Sequence, residues 1–128
     1  MGRVFGRLIA VVALAVILPL SVNAAQPYDA KAFAEAQAAG KTVVVHVVAS
    51  WCPTCAVQRP IIHAMESEAP FAALSVFDVD FDGAKDVLGQ FKVRSQSTLI
   101  VFKGTAEVAR SVGETDGDKI RALVRMGL

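Results

Sequence analysis

Residues 42–55, TVVVHVVASWCPTC, decide the fold of this chain. The first seven are almost all β-branched and apolar, which is typical of a central strand covered on both faces, as parallel strands are. The stretch then carries both cysteines of the chain, Cys52 and Cys55, and Pro53 between them favours the first turn of a helix. We therefore predict a buried strand, a turn, and a helix that holds the two thiols at its start.

This placement gives the two thiols different roles. The start of a helix offers unpaired backbone N–H groups and the positive end of the helix dipole, which lower the pKa of a thiol below its ordinary value of about 8.5. We predict that Cys52 is the nucleophile and that Cys55, one turn on, is the resolving thiol. A purely structural disulfide is disfavoured, because closing so short a loop removes little entropy from the unfolded chain.

The first 24 residues have the pattern of an export signal. Arg3 and Arg7 precede an apolar run over residues 8–20, and small residues follow up to Ala24. We expect cleavage after Ala24 and a periplasmic or other cell-envelope location, or secretion. If the signal is not cleaved, the protein is tethered to the membrane, although the apolar run is short of the roughly 20 residues that span a bilayer.

The charges of the chain point to proteins as partners. The sequence has 13 basic and 12 acidic residues, and its formal net charge is +1. No cluster of basic residues indicates nucleic-acid binding. Protein thiols and disulfides are the partners that this composition and the cysteine pair favour.

The remaining pattern predicts one small α/β domain over residues 25–128. Its elements follow the order helix, strand, helix, strand, helix, hairpin, helix, which makes a four-stranded mixed sheet with helices on both faces. The expected helices cover residues 29–39, 56–69 and 82–90 and a last segment capped by Thr115 and Asp118, and the expected strands cover residues 42–48, 74–79, 98–103 and 107–112.

These features resemble the thioredoxin superfamily from about Tyr28 to Met126. The resemblance rests on the strand leading into Trp51-Cys52-Pro53-Thr54-Cys55, on Pro60, and on a later half that includes residues 94–104 and Gly113. It implies a thioredoxin-like fold and thiol–disulfide exchange through a mixed disulfide, with Trp51, Pro53 and Thr54 supporting the cysteines. It also implies no cofactor or metal beyond the redox-active disulfide itself.

The resemblance also implies a direction and a setting. The Cys-Pro-Thr-Cys sequence is similar to that of exported thiol reductases that serve cytochrome c maturation, although the central insert usual in those proteins is absent here. The expected function is therefore that of an envelope reductant, kept reduced by a membrane-bound electron donor.

Three features of the sequence depart from the family pattern. The first strand of the family is short or missing. His46 stands where many members have a buried carboxylate, and Val76 where its lysine partner would lie, so we expect that pair to be absent and a neutral His46 to lie near Cys55. Ser97 replaces the usual cis-proline, which predicts a trans peptide bond and room for a soft metal beside both thiolates.

Two alternative functions remain open at this point. One is a metal- or cluster-binding module that uses Cys52 and Cys55 together with His46, His63 or a second chain. The other is an interaction domain without redox activity. Trp51 then belongs either to the core or to the surface that a partner contacts beside Cys52.

Overall fold

The computed structural model describes residues 25–128, and the expected export signal lies outside them. The described part contains five strands and four helices. The strands are β1 (Gln26–Pro27), β2 (Thr42–Val48), β3 (Ser75–Asp80), β4 (Thr98–Lys103) and β5 (Ala106–Val112), and the helices are α1 (Ala30–Ala38), α2 (Pro53–Met65), α3 (Lys85–Gln90) and α4 (Gly117–Arg125). Within residues 25–128, none of the helices is long and apolar enough to cross a membrane.

The strands form one mixed sheet in the order β1-β3-β2-β4-β5. β1, β3 and β2 run parallel, whereas β4 is antiparallel to both β2 and β5. The four predicted strands are all present, and β1 adds a fifth strand that the count of four omitted. β1 is only two residues long, which agrees with the expectation that the first strand of the family is short or missing.

Each face of the sheet is covered by two helices. The alternation of side chains along β2 sends Val43, Val45 and Val47 to one face and Val44 to the other. The first face packs against α3 and against α1, which contributes Phe33. The second face packs against α2 and α4. β2 is therefore the buried central strand that its β-branched sequence predicts, and the cysteine motif leaves the sheet from its carboxyl end.

Two helices differ from the prediction at their ends. α2 ends at Met65 rather than near Ala69, consistent with the bias of a residue before proline, here Ala69 before Pro70, against helical geometry. α3 begins at Lys85 rather than Asp82. The carboxylate of Asp80 accepts hydrogen bonds from the backbone N–H groups of Asp82 and Gly83, so these residues form a turn.

The predicted N-terminal cap is correct for α1 and wrong for α4. Asp29 caps α1 as expected and accepts a hydrogen bond from the backbone of Ala32. α4 is capped by Asp116, and the predicted capping box with Thr115 is wrong. The backbone N–H groups of Lys119 and Asp118 donate to the Asp116 carboxylate and lower its pKa.

Candidate active site

Cys52 and Cys55 form a disulfide at the start of α2, and their Cα atoms are 5.3 Å apart. Cys52 is the N-cap of the helix, and Pro53 is its first residue. The backbone N–H of Cys55 donates to Cys52 Sγ over 3.1 Å. Both cysteines are buried, with 4% of Cys52 and 2% of Cys55 exposed. The predicted arrangement of two thiols at a helix start is therefore present, with Cys52 Sγ in the position that a helix N-terminus stabilises as an anion.

Trp51 lies on the surface beside the disulfide and is 56% exposed. Its indole Nε1 donates to Asp82 Oδ2 over 2.8 Å, and its ring meets the edge of Phe81. Pro53 is exposed and Thr54 is half-buried. Of the two interpretations of Trp51, the geometry supports the surface role, because a core tryptophan would not present half of its side chain to solvent.

Ser97 places its hydroxyl against both sulfur atoms. Ser97 Oγ lies 3.1 Å from Cys52 Sγ and 3.3 Å from Cys55 Sγ, and Ser97 is 3% exposed. Among residues 25–128 the one cis peptide bond joins Ala69 and Pro70, so the bond before Ser97 is trans, as predicted. The space that the sequence analysis left open for a soft metal is occupied by this hydroxyl.

Gln58 is a site residue that the sequence analysis missed. It lies in α2, one turn after Cys55, and its side chain is fully buried. Nε2 donates to Ser97 O over 3.1 Å and to Glu114 O over 2.8 Å. Apolar residues at helical spacing along this helix, namely Val57, Ile61, Ile62 and Met65, predict that Val57 is buried, but Val57 is 47% exposed and the inward position belongs to Gln58.

His46 is 1% exposed, and its ring contacts Gln58 and Asp78. Nε2 lies 3.1 Å from Gln58 Oε1, and Nδ1 lies 3.4 Å from Asp78 Oδ1. The polar contacts of His46 are with Gln58 and Asp78, and Gln58 connects it through Ser97 O to the loop at the disulfide.

His46 has a carboxylate beside it that the sequence analysis did not predict. Asp78 of β3 is directly opposite His46 in the sheet, whereas Val76 is opposite Val44. Arg59 Nη1 also binds Asp78 Oδ2 over 3.0 Å. The chain therefore has a histidine on the central strand and a carboxylate on its neighbour, with an arginine beside them.

The metal-binding alternative gains no support from the geometry. His63 is solvent-exposed and contacts Glu66. It lines a cavity of about 560 Å³ together with His46, Arg59 and Asp78. Within residues 25–128, no three histidine, cysteine, aspartate or glutamate side chains come together in a group that could hold a metal ion.

The arrangement is suited to reversible thiol–disulfide exchange. A disulfide at a helix N-terminus has one sulfur that the helix stabilises as a thiolate once the disulfide is reduced, and that thiolate is the nucleophile that attacks a partner disulfide. A second sulfur one turn away can then displace the partner. The exposed Trp51 provides contact area for a protein on the same side.

The comparisons with known proteins agree with this site. The family model described as Thioredoxin matches residues 24–126. A thioredoxin from Chlamydia muridarum is 37% identical over 92 residues, which is 72% of this chain and 87% of that protein. Thioredoxin-1 from Saccharomyces cerevisiae is 38% identical over 84 residues, which is 66% of this chain and 80% of that protein.

A solved structure is also similar to this chain. The crystal structure of Trxlp from Edwardsiella tarda superposes with a TM-score of 0.76 at 40% identity and covers 79% of this chain and 98% of that one. The chain therefore belongs to the thioredoxin family and is a thiol–disulfide oxidoreductase whose redox group is its own disulfide.

Proposed function

We propose that the protein is an exported reductant of protein disulfides in the cell envelope, in which Cys52 attacks and Cys55 resolves. The observation that carries the proposal is the position of Cys52 Sγ. It caps α2 and accepts a hydrogen bond from the Cys55 backbone, so the helix stabilises a thiolate on Cys52 and not on Cys55.

The reaction proceeds in two exchanges. The Cys52 thiolate attacks one sulfur of the partner disulfide, and a mixed disulfide forms while the other partner sulfur leaves as a thiolate. Cys55, after losing its proton, then attacks Cys52 Sγ. The second partner sulfur leaves, the partner has gained two electrons, and the Cys52–Cys55 disulfide is restored.

The proposed location in the cell envelope is supported by the pattern of the first 24 residues, and the proposed electron donor by the need to reduce the Cys52–Cys55 disulfide after each reaction. Export would place the protein where a membrane-bound donor must reduce its disulfide again, and the proteins of cytochrome c maturation are one class of substrate with thiols to be kept reduced. We expect the protein recovered from the envelope fraction to begin at Ala25, which N-terminal sequencing checks. A protein that keeps residues 1–24 would contradict cleavage and support a membrane tether.

The direction of the reaction is tested by the reduction potential. We expect the Cys52–Cys55 pair, equilibrated with glutathione buffers, to have a potential closer to about −270 mV, the value of thioredoxin, than to about −120 mV, the value of a strong oxidant. The fraction of reduced protein is measured by alkylation of the free thiols and mass spectrometry. A potential near about −120 mV would make the protein an oxidant and overturn the proposed direction.

A further inference from the structure

Gln58 has all of its hydrogen-bonding groups engaged inside the protein. Its two amide hydrogens go to the carbonyl oxygens of Ser97 and Glu114, which can only accept. The amide oxygen therefore faces His46 Nε2, and this ring nitrogen must carry the hydrogen that it shares. Buried polar groups are costly unless they are paired, so the orientation of Gln58 is fixed by three partners from three different segments of the chain.

Ser97 needs such support because of its backbone. Its φ is 63°, in the left-handed region that a residue with a side chain rarely adopts. Ser97 N donates to Val47 O over 2.8 Å, and Ser97 O accepts from Gly113 N over 3.0 Å. Gln58 adds a second hydrogen bond to the same carbonyl oxygen. These bonds hold the conformation in which the hydroxyl lies on the two sulfurs.

Because neither cysteine carries a hydrogen in the disulfide, the Ser97 hydroxyl can only donate towards the sulfur atoms, and its single hydrogen is shared between them or directed at one of them. Two electrons from a partner dithiol break the S–S bond and the dithiol becomes a disulfide. Of its two protons, one is retained on Cys55 and the other is released to solvent, so that Cys52 becomes a thiolate. A hydrogen bond to a charged acceptor is stronger than one to a neutral acceptor. Ser97 Oγ thus gains a stronger bond on reduction, in a place where water has little access.

We propose that Ser97 stabilises the Cys52 thiolate of the reduced protein through its hydroxyl, and that Gln58 is the positioning residue that holds Ser97 there. The proposal rests on the proposed role of Cys52 as the attacking thiolate. His46 contributes by donating to Gln58 Oε1. The consequence is a reduced state that is favoured more strongly than the helix N-terminus alone would make it.

The test is a double-mutant cycle of Ser97 and Gln58. The reduction potential is measured by equilibration with glutathione, and the pKa of Cys52 by the ultraviolet absorbance of its thiolate. We expect Ser97→Ala to lower the equilibrium constant for reduction about tenfold, which is about 30 mV, and to raise the pKa of Cys52. Ser97→Gly should do the same while suiting the positive φ, so it separates the hydrogen bond from backbone strain. An unchanged potential in both variants would overturn the role of the hydroxyl.

Gln58→Leu should change the potential in the same direction as Ser97→Ala, and should add nothing further in the Ser97→Ala background. Gln58→Met provides a second apolar variant if leucine prevents folding. Ser95→Ala is the matched control, because the Ser95 hydroxyl lies in the same loop but contacts Gln96 and neither sulfur. Gln58 is not a positioning residue if its variants lose stability but keep the reduction potential. The same holds if they change the potential equally with and without the Ser97 hydroxyl.

The outcome separates this inference from the proposed function. Capture of a partner on Cys52, together with an unchanged potential in the Ser97 variants, would contradict the thiolate contact alone. Capture on Cys55 instead would contradict the assignment of the attacking thiol on which both depend.

Discussion

Cys52→Ser should abolish the reduction of protein disulfides, by at least about 10³-fold, because serine cannot supply the thiolate that forms the mixed disulfide. Cys55→Ser should instead leave the first attack intact and trap the partner on Cys52, because no second thiol is present to release it. The measurement combines an insulin-type disulfide reduction assay with thiol trapping and mass spectrometry of the bonded peptides.

The double variant Cys52→Ser and Cys55→Ser is the control for this pair. It keeps the exposed surface around Trp51 but has no thiol, so it should capture no partner that survives denaturation. The assignment of roles would be reversed by stable partner adducts on Cys55 of the Cys52→Ser variant and by none on Cys52 of the Cys55→Ser variant.

The parts of the site that the sequence predicts well are those set by neighbours in the chain. The β-branched run of β2 and Pro53 at the start of α2 are local signals, and together they place Cys52 at the helix cap. Chain geometry then fixes the distance to Cys55. The same reasoning found Asp29 at the start of α1, because the capping carboxylate and the first helical turn are adjacent in sequence.

The register between strands was not predictable in this way. Val76 and Asp78 are two residues apart and lie on the same side of β3, so alternation alone cannot tell which of them is opposite His46. The structure pairs His46 with Asp78. Pairing depends on how β2 and β3 align across the connecting helix, and that alignment is a property of the whole packed domain.

Gln58 escaped prediction for a related reason. Its hydrogen-bond partners Ser97 and Glu114 are 39 and 56 residues away in sequence. Helical periodicity favoured Val57 as the buried residue, since a glutamine is mostly exposed unless it is paired. Only the loops that follow α3 and β5 bring the two carbonyl oxygens to this face of α2, so nothing close to Gln58 in the sequence announces its burial.

A cluster of aromatic rings packs on the face of the sheet opposite α2, and Phe33 is central to it. Phe33 is 5% exposed and stands on α1. Its ring meets four other aromatic rings at centroid distances of 5.4–5.6 Å, namely those of Tyr28, Phe77, Phe91 and Phe102. The contacts with Phe77, Phe91 and Phe102 are edge-to-face, and such contacts stabilise the fold beyond the burial of the rings alone. A cavity at this position would therefore loosen the packing of α1, α3 and three strands together.

We expect Phe33→Ala to lower the free energy of unfolding by about 3–5 kcal/mol, the usual cost of deleting a buried aromatic ring. This is a large part of the roughly 5–15 kcal/mol that holds a small domain together. Urea unfolding of the oxidised protein measures the loss. Val112→Ala is the control, because Val112 is 61% exposed and its truncation should change stability by less than about 0.5 kcal/mol. The reduction potential of the folded Phe33→Ala protein should be unchanged, since the cysteines pack in a separate cluster with Ala49. A loss below about 1 kcal/mol would show that α1 is not held by this aromatic cluster.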